Sequence, residues 1–325
     1  MHDHERMCEL VTERLRTTLG AHVGASALAG PTSDLLDGVD ATFRRTSSKN
    51  LVAVHVPLAF AVDEPIHSGE DLVGVAAACA AIYVGGRMLD DLMDGHDLSY
   101  FEEDRSAPEV IGWVTMLATL PPILLTNLGV GSETRVKIIN EFGAGLVHML
   151  SGQMADAASG AAGLPTPERA MEAIRGKTGA MIGTFARAAA RTVCVPEAGD
   201  TAADAAWRFG MGIGVGRQLL ADRAKLASSD RRTDRMTPPY LVAVHGAALE
   251  GDARYHFVDL VSKSRTDTGA RTEVAQAIAG SPAIAQVALT AELELASAEA
   301  SLARLPVEDE VTGRLQSMID LASPF

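Results

Sequence analysis

Apolar residues recur at three- and four-residue spacing along nearly the whole chain, and the alternating β-branched pattern of strands is rare. That period predicts helix almost everywhere. Abundant alanine agrees with it. Gly, Pro, Ser and Asp clusters punctuate the pattern at Gly30-Pro31, Asp63 to Gly69, Ser106 to Pro108, Gly160 to Pro167, Val195 to Asp200, Ser228 to Pro239 and Gly280-Ser281-Pro282. Between them lie segments expected to form helices of about 15 to 30 residues. None of the breaks has the length or composition of a flexible linker. The reading is all-α: one large helical bundle over residues 1–325, opened by an N-terminal helix within residues 1–30. The run Thr290 to Leu305 (TAELELASAEASLARL) carries its apolar residues on one helical face.

Two apolar stretches bear on membrane insertion. Leu72 to Gly86 falls short of the roughly 20 residues of a spanning helix. Ile111 to Ser132 is long enough, but Pro121-Pro122, Thr126 and Asn127 interrupt it. A buried helix, a break and a second buried helix is the expectation there, with no membrane span. The composition is 47% hydrophobic and 4% aromatic, with a formal net charge of −14. A nucleic-acid binder needs a basic footprint, so that class is disfavoured. Cys8, Cys79 and Cys194 are too few for a disulfide framework. Together with a charged N-terminal stretch lacking a hydrophobic signal core, they predict a cytoplasmic protein.

The first candidate for chemistry is Asp90-Asp91-Leu92-Met93-Asp94, which ends an otherwise apolar helix. Asp90 and Asp94 share one face, with Asp91 beside them. Two unit charges 4 Å apart repel by about 4 kcal/mol at an effective dielectric of 20. Carboxylates at a helix C-terminus also oppose the macrodipole. Three of them either face solvent as an acidic helix end or call for a cation, and oxygen-only ligation then points to Mg²⁺ shared with a phosphate substrate. Arg87, one turn earlier, either pairs with them or reaches that phosphate. Further on come Gln153 and Asp156, a polar i, i+3 pair in an apolar helix. Lys177-Thr178 lies between Gly176 and Gly179, where a helix break would free backbone N–H groups for a diphosphate. Gly210 and Gly214 permit close helix contact and lead to Gln218 and Asp222.

In order and spacing this series resembles the trans-polyprenyl diphosphate synthase family. That family's pattern runs DDxxD, GQxxD, KT, G-x4-FQ-x2-DDxxD and K-x-T-x-P. Here the corresponding residues are Asp90 to Asp94, Gly152 to Asp156, Lys177-Thr178, Gln218 to Asp222, and Arg235-Met236-Thr237-Pro238-Pro239. The run Ala300 to Pro306 is similar to the family's last helix pair. The resemblance covers roughly residues 45 to 320. It implies the isoprenoid synthase fold, a helical bundle around a deep cavity, and usually a homodimer. In such a site Asp90, Asp91, Asp94 and Asp222 would hold Mg²⁺ against an allylic prenyl diphosphate. Lys177, Thr178, Gln153, Asp156, Gln218, Lys225 and Arg235 would contact that substrate.

Three departures qualify the resemblance. The second aspartate motif reads Ala221-Asp222-Arg223-Ala224-Lys225, so one of three aspartates remains and the last has become lysine. Lys225 then either supplies positive charge directly or marks an impaired site. The basic segment that binds isopentenyl diphosphate is reduced to Lys49, and the arginine pair after the first motif is missing, Arg105 lying too far on. The stretch between Asp222 and Arg235 is also shorter. Gly85 and Gly86 stand where short-chain enzymes of the family carry aromatics, with Cys79 and Tyr83 as possible floor residues. The pocket would then take a C15 to C20 tail, unless the Ala/Gly helix only packs tightly against a neighbour.

Three functions follow from the resemblance. The first is a prenyltransferase acting on an acceptor other than isopentenyl diphosphate; the run LDDLMDG is similar to the moenomycin-pathway type of irregular prenyltransferase. A class I terpene cyclase is the second, weakened by the scarcity of aromatics for cation–π contact and by the missing N-x3-S-x3-E motif. The third is a non-catalytic subunit of a heteromeric synthase.

Overall fold

The computed structural model describes residues 2–23, 35–36, 39, 52–61, 67–93, 106–159, 164–194, 199–227 and 237–322. Among them no strand occurs, and the all-α expectation holds. The helices are α1 (His2–Val23), α2 (Val52–Ala59), α3 (His67–Met93), α4 (Ala107–Thr126), α5 (Ser132–Ser159) and α6 (Pro167–Ile174). A π turn (Arg175–Gly179) leads into α7 (Ala180–Val193). Then follow α8 (Gly199–Ala227), α9 (Pro239–Ala247), α10 (Gly251–Lys263), α11 (Thr268–Ala279), α12 (Ala283–Leu302) and α13 (Asp309–Ala322).

Most helix ends fall at the punctuation marks of the sequence. Ser106 precedes α4 and donates its backbone N–H to Glu109, one half of a capping box. Thr166 caps α6 by accepting from the Arg169 N–H. The expected segment length of 15 to 30 residues needs correction: α2 and α6 have 8 residues, and α9, α10 and α11 have 9, 13 and 12. Short turns at 248–250, 264–267 and 127–131 had no strong breaker cluster to announce them.

The break expected at Pro121-Pro122 is absent, because α4 runs through both prolines to Thr126. The apolar row Trp113, Leu117, Leu120, Leu124 keeps its helical spacing across the pair and is buried, so tertiary packing outweighs the two lost N–H donors. Near the end of the helix, the Thr126 hydroxyl and the Asn127 amide donate to the Pro122 and Ile123 carbonyls. The real break comes one turn later, where the Gly129 N–H donates to Asp71 at 2.7 Å and ties the α4–α5 turn to α3.

Helix α3 runs through the middle of the bundle, with Val75, Ala76, Ala77, Ala78, Cys79, Ala80 and Ala81 all fully buried. A helix apolar on every side belongs either in a core or in a membrane. By length and composition α3 from Gly69 to Met93, and α4 as well, are long and apolar enough to cross a bilayer. The length argument against α3 drawn from Leu72 to Gly86 is therefore corrected, since the helix extends beyond that run at both ends. In its most apolar window 78% of α3 is buried against other helices, compared with 39% for α4.

Two hydrophobic cores share the bundle. The larger gathers α1 to α5, α7, α8, α12 and α13 around Phe60, Leu72, Leu117, Phe185, Phe209 and Ile213. The smaller joins α6, α9, α10 and α11 to Val215 and Leu219 of α8 and to Val287 and Ala291 of α12.

Candidate functional site

Four pieces of backbone meet at one end of the larger core: the last turn of α3, the C-terminal half of α5, the π turn and the last third of α8. Glycines set their separation. A Cβ on Gly152 of α5 would lie 2.2 Å from the Lys177 backbone nitrogen, and one on Gly214 of α8 would lie 2.7 Å from the Thr178 carbonyl oxygen. Both distances are closer than real atoms approach, so the π turn is gripped between α5 and α8 only because these residues lack side chains. The close contact expected of Gly210 and Gly214 is realised, Gly210 packing on the Ile182 carbonyl of α7.

The π turn revises the expected break at Lys177-Thr178. The chain is helical without interruption from Pro167 to Val193. The Arg175 N–H bonds the carbonyls of Met171 and Glu172, and the Ala180 N–H bonds that of Arg175. The ladder thus continues through the segment, and the contribution of Lys177 and Thr178 to a ligand comes from their side chains. Single π turns occur frequently at functional sites.

Asp90, at the end of α3, accepts from Lys177 Nζ at 2.6 Å and from Gln153 Nε2 at 2.9 Å, both on Oδ1. Lys177 also reaches Asp156 Oδ2 at 3.3 Å. The i, i+3 pair on α5 therefore faces the site as expected. Burial raises the Asp90 pKa, but the Lys177 charge and hydrogen bond, the Gln153 hydrogen bond and the Arg87 charge outweigh it. The carboxyl is held below its usual range. Burial depresses the Lys177 ammonium in the same way, and Asp90 with Asp156 more than reverses it, to a net rise. At neutral pH both are charged.

The opposite wall is a chain of hydrogen bonds along α8. Thr178 Oγ1 donates to Gln218 Oε1 at 3.3 Å, and Gln218 Nε2 donates to Asp222 Oδ1 at 2.9 Å. Lys225 Nζ reaches the same Asp222 oxygen at 3.2 Å. Asp222 is buried, 5% exposed, whereas the Lys225 side chain is 53% exposed. Burial pushes the Asp222 pKa up. Lys225 and Gln218 oppose that rise, and Asp156 across the site adds to it. The two walls are thus within electrostatic reach of each other.

Below Asp90, residues Gly86, Tyr83 and Cys79 lie within about 40° of the same face of α3, about 6, 10 and 16 Å down the axis. A Cβ on Gly86 would meet nothing within 4 Å, and Cys79 is fully buried. Gly85 points elsewhere: a Cβ there would lie 3.3 Å from Leu117 of α4. Tight packing is the role of Gly85, and open space belongs to Gly86. Arg87 is exposed and Asp91 half-buried at the rim. Asp94 and Arg235 lie outside the described residues, as do Lys49 and Arg105.

Sequence reasoning missed Arg217. It follows Phe209 and Ile213, both fully buried, at i+4 steps on the face of α8 turned into the larger core. Burial lowers its pKa, with the Tyr83 phenol acting in the opposite sense, so a guanidinium stands inside near the floor residue. Its signal was a charge interrupting an apolar i, i+4 row.

As a test of fit for a divalent ion, no three His, Cys, Asp or Glu side chains among the described residues gather as a metal cage. Mg²⁺ does not require one, since one or two carboxylates plus substrate oxygens and water suffice. Asp90 and Asp91 on the last turn of α3 satisfy that smaller demand. The α8 wall, where Asp222 is only 5% exposed and its neighbour is Ala221, does not.

No protein-family model matches the chain, and no curated protein matches it in sequence. Solved structures do match in shape. A geranylgeranyl pyrophosphate synthase from Corynebacterium glutamicum, complexed with isoprenyl diphosphate and magnesium, superposes with a TM-score of 0.77 at 18% identity, covering 98% of both chains. A polyprenyl synthetase from Streptomyces coelicolor A3(2) gives 0.75 at 18% identity over 98% of both. A geranylgeranyl pyrophosphate synthase from Lactobacillus brevis gives 0.77 at 15% identity, over 98% of this chain and 95% of that one. At such identities the likeness establishes the fold: this chain has the all-α isoprenoid synthase fold.

Proposed function

We propose that the protein is a prenyltransferase that ionises an allylic prenyl diphosphate and passes the prenyl group to an acceptor other than isopentenyl diphosphate. The observation that carries this reading is the hydrogen-bonded group Asp90, Gln153, Asp156 and Lys177 beside the chain Thr178, Gln218, Asp222 and Lys225, with open space next to Gly86, on a fold shared with prenyl diphosphate synthases. Asp90 and Asp91 would hold Mg²⁺, which when bound neutralises the leaving diphosphate. Lys177 gives up part of its contact with Asp90 to donate to diphosphate oxygens, while Gln153 keeps the carboxylate oriented. Thr178 adds a hydroxyl donor. The bond between the prenyl C1 and oxygen breaks, its electron pair leaves with the diphosphate, and the acceptor supplies the pair for the new bond to C1. Preorganised positive charge at the leaving oxygen favours this charge-separating step. The prenyl tail lies along Gly86, Tyr83 and Cys79, a length suited to C15 or C20.

The test is incubation of the purified protein with Mg²⁺ and C10, C15 or C20 allylic diphosphates, with and without isopentenyl diphosphate, followed by product analysis. Release of diphosphate with transfer to a supplied acceptor is expected. A cyclic hydrocarbon or alcohol made from the allylic substrate alone would replace this reading with that of a terpene cyclase.

We further propose a homodimer. Val136, Val147, Leu150 and Met154 form one exposed apolar stripe on α5, and Ile111 of α4 is exposed as well. A second copy of this chain is the occupant that a matching stripe suits. Sedimentation at micromolar concentration should give twice the 34.1 kDa chain mass, and Val147→Glu with Met154→Glu should return it to one.

A further inference from the structure

We propose that the α8 wall grips the diphosphate without a metal ion, the Lys225 ammonium standing where a second cation would otherwise be recruited. The proposal deepens the diphosphate reading of the site and rests on it. Gln218, Asp222 and Lys225 follow one another at i, i+4 and i+7, so they line one face of α8. A hard divalent ion on that face needs oxygen donors. Ala221 has none. Oδ1 of Asp222 already accepts from both Gln218 and Lys225, and the Gln218 carbonyl accepts from Thr178. Asp222, 5% exposed, is an anchor built into the helix, with little oxygen surface facing the mouth.

What that anchor holds is a cation. Lys225 is held at 3.2 Å by the buried carboxylate, yet 53% of its side chain is exposed, so an anion can reach it. An ammonium is a compact point charge with three donors, and lysine is a common phosphate ligand for that reason. Lys177 delivers a second ammonium from the π turn, bonded to Asp90 and Asp156 on the other side. A diphosphate between the walls therefore meets carboxylates suited to a metal on the α3 side and the Lys225 ammonium on the α8 side. No bond is made or broken by Lys225. Its role is direct binding of the anion, with affinity that survives removal of divalent ions.

The experiment is calorimetric titration of inorganic pyrophosphate into the full-length protein, in chelator and in Mg²⁺. Wild type should bind in chelator. Lys225→Gln should weaken that binding at least about tenfold and Lys225→Arg should largely preserve it, with thermal melts confirming that the exposed position leaves folding intact. The double variant Ala221→Asp/Lys225→Asp should lose binding in chelator, regain it in Mg²⁺, and hold more Mn²⁺ per chain with pyrophosphate than wild type by electron paramagnetic resonance. The proposal is overturned if wild type binds only with Mg²⁺, or if Lys225→Gln binds as tightly as wild type in chelator. Both of those results leave the diphosphate reading standing. Failure of wild type to bind pyrophosphate in either condition removes that reading as well.

Discussion

The two walls of the site shift the titration of an aspartate in opposite directions from similar beginnings. Each is the C-terminal end of a long helix carrying aspartate. On α3, Asp90 is half-buried and faces a lysine and a glutamine from other segments, so its charge is assembled by the fold. On α8, Asp222 is deeply buried and faces Gln218 and Lys225 of its own helix, so its charge is settled locally. The difference teaches that an aspartate motif is not a metal site by its letters alone. What decides is how much of the carboxylate remains exposed to a ligand: 35% of the Asp90 side chain against 7% of that of Asp222.

The largest expected effect breaks the comparison at its acidic side. Asp90→Ala should lower turnover of an allylic diphosphate by about two to three orders of magnitude, measured as diphosphate release. Turnover near wild type would move the reactive centre away from α3. Next, Gly152→Val should wedge α5 off the π turn, since even a Cβ would sit 2.2 Å from the Lys177 nitrogen. A loss of at least about 1–3 kcal/mol in chemical denaturation, accompanied by a fall in turnover, is expected. A smaller contrast tests the pocket. Gly86→Phe should fold normally and shorten the longest prenyl chain accepted. Gly85→Phe should instead lower the melting temperature through its clash with Leu117.

The smallest effect is the pH profile of stability. Asp90 titrates lower folded than unfolded, so its contribution is present above the unfolded value near about 4 and fades as acid reaches the folded pKa. Asp222 titrates higher folded, so its contribution is present below that same unfolded value and fades as pH rises through the folded pKa. Chemical denaturation across the acid range should therefore change in opposite directions for Asp90→Asn and Asp222→Asn relative to wild type. Parallel changes would show that the two walls are electrostatically alike.

The helical period and most helix ends were legible because Gly, Pro and capping residues act within a few positions of themselves. The order of Asp90, Gln153, Asp156, Lys177, Thr178 and Gln218 pointed to one site, and hydrogen bonds join the first four of them to one another and Thr178 to Gln218. What could not be read was any feature decided between distant segments. The prolines at 121 and 122 spell a break, yet the apolar row from Trp113 to Leu124 carries the helix past them. Gly176 and Gly179 likewise suggest a break, whereas their missing side chains serve the contacts with α5 and α8. Arg217 was invisible for the same reason. Its meaning depends on Tyr83, more than a hundred residues earlier in the chain.

The π turn has one more consequence. A turn closed at i+5 holds one residue beyond what the α repeat requires, so the helix after it is offset by one position in sequence from the helix before it. Ala170 and Met171 below the turn point into the smaller core, while Ile182 and Phe185 above it point into the larger. One unbroken rod thereby serves two hydrophobic centres whose angular demands need not agree. Lys177 and Thr178 sit on the joint. Deleting a single residue there would close the extra step and leave the downstream helix seated, so the change would fall on the aim of Lys177 and Thr178.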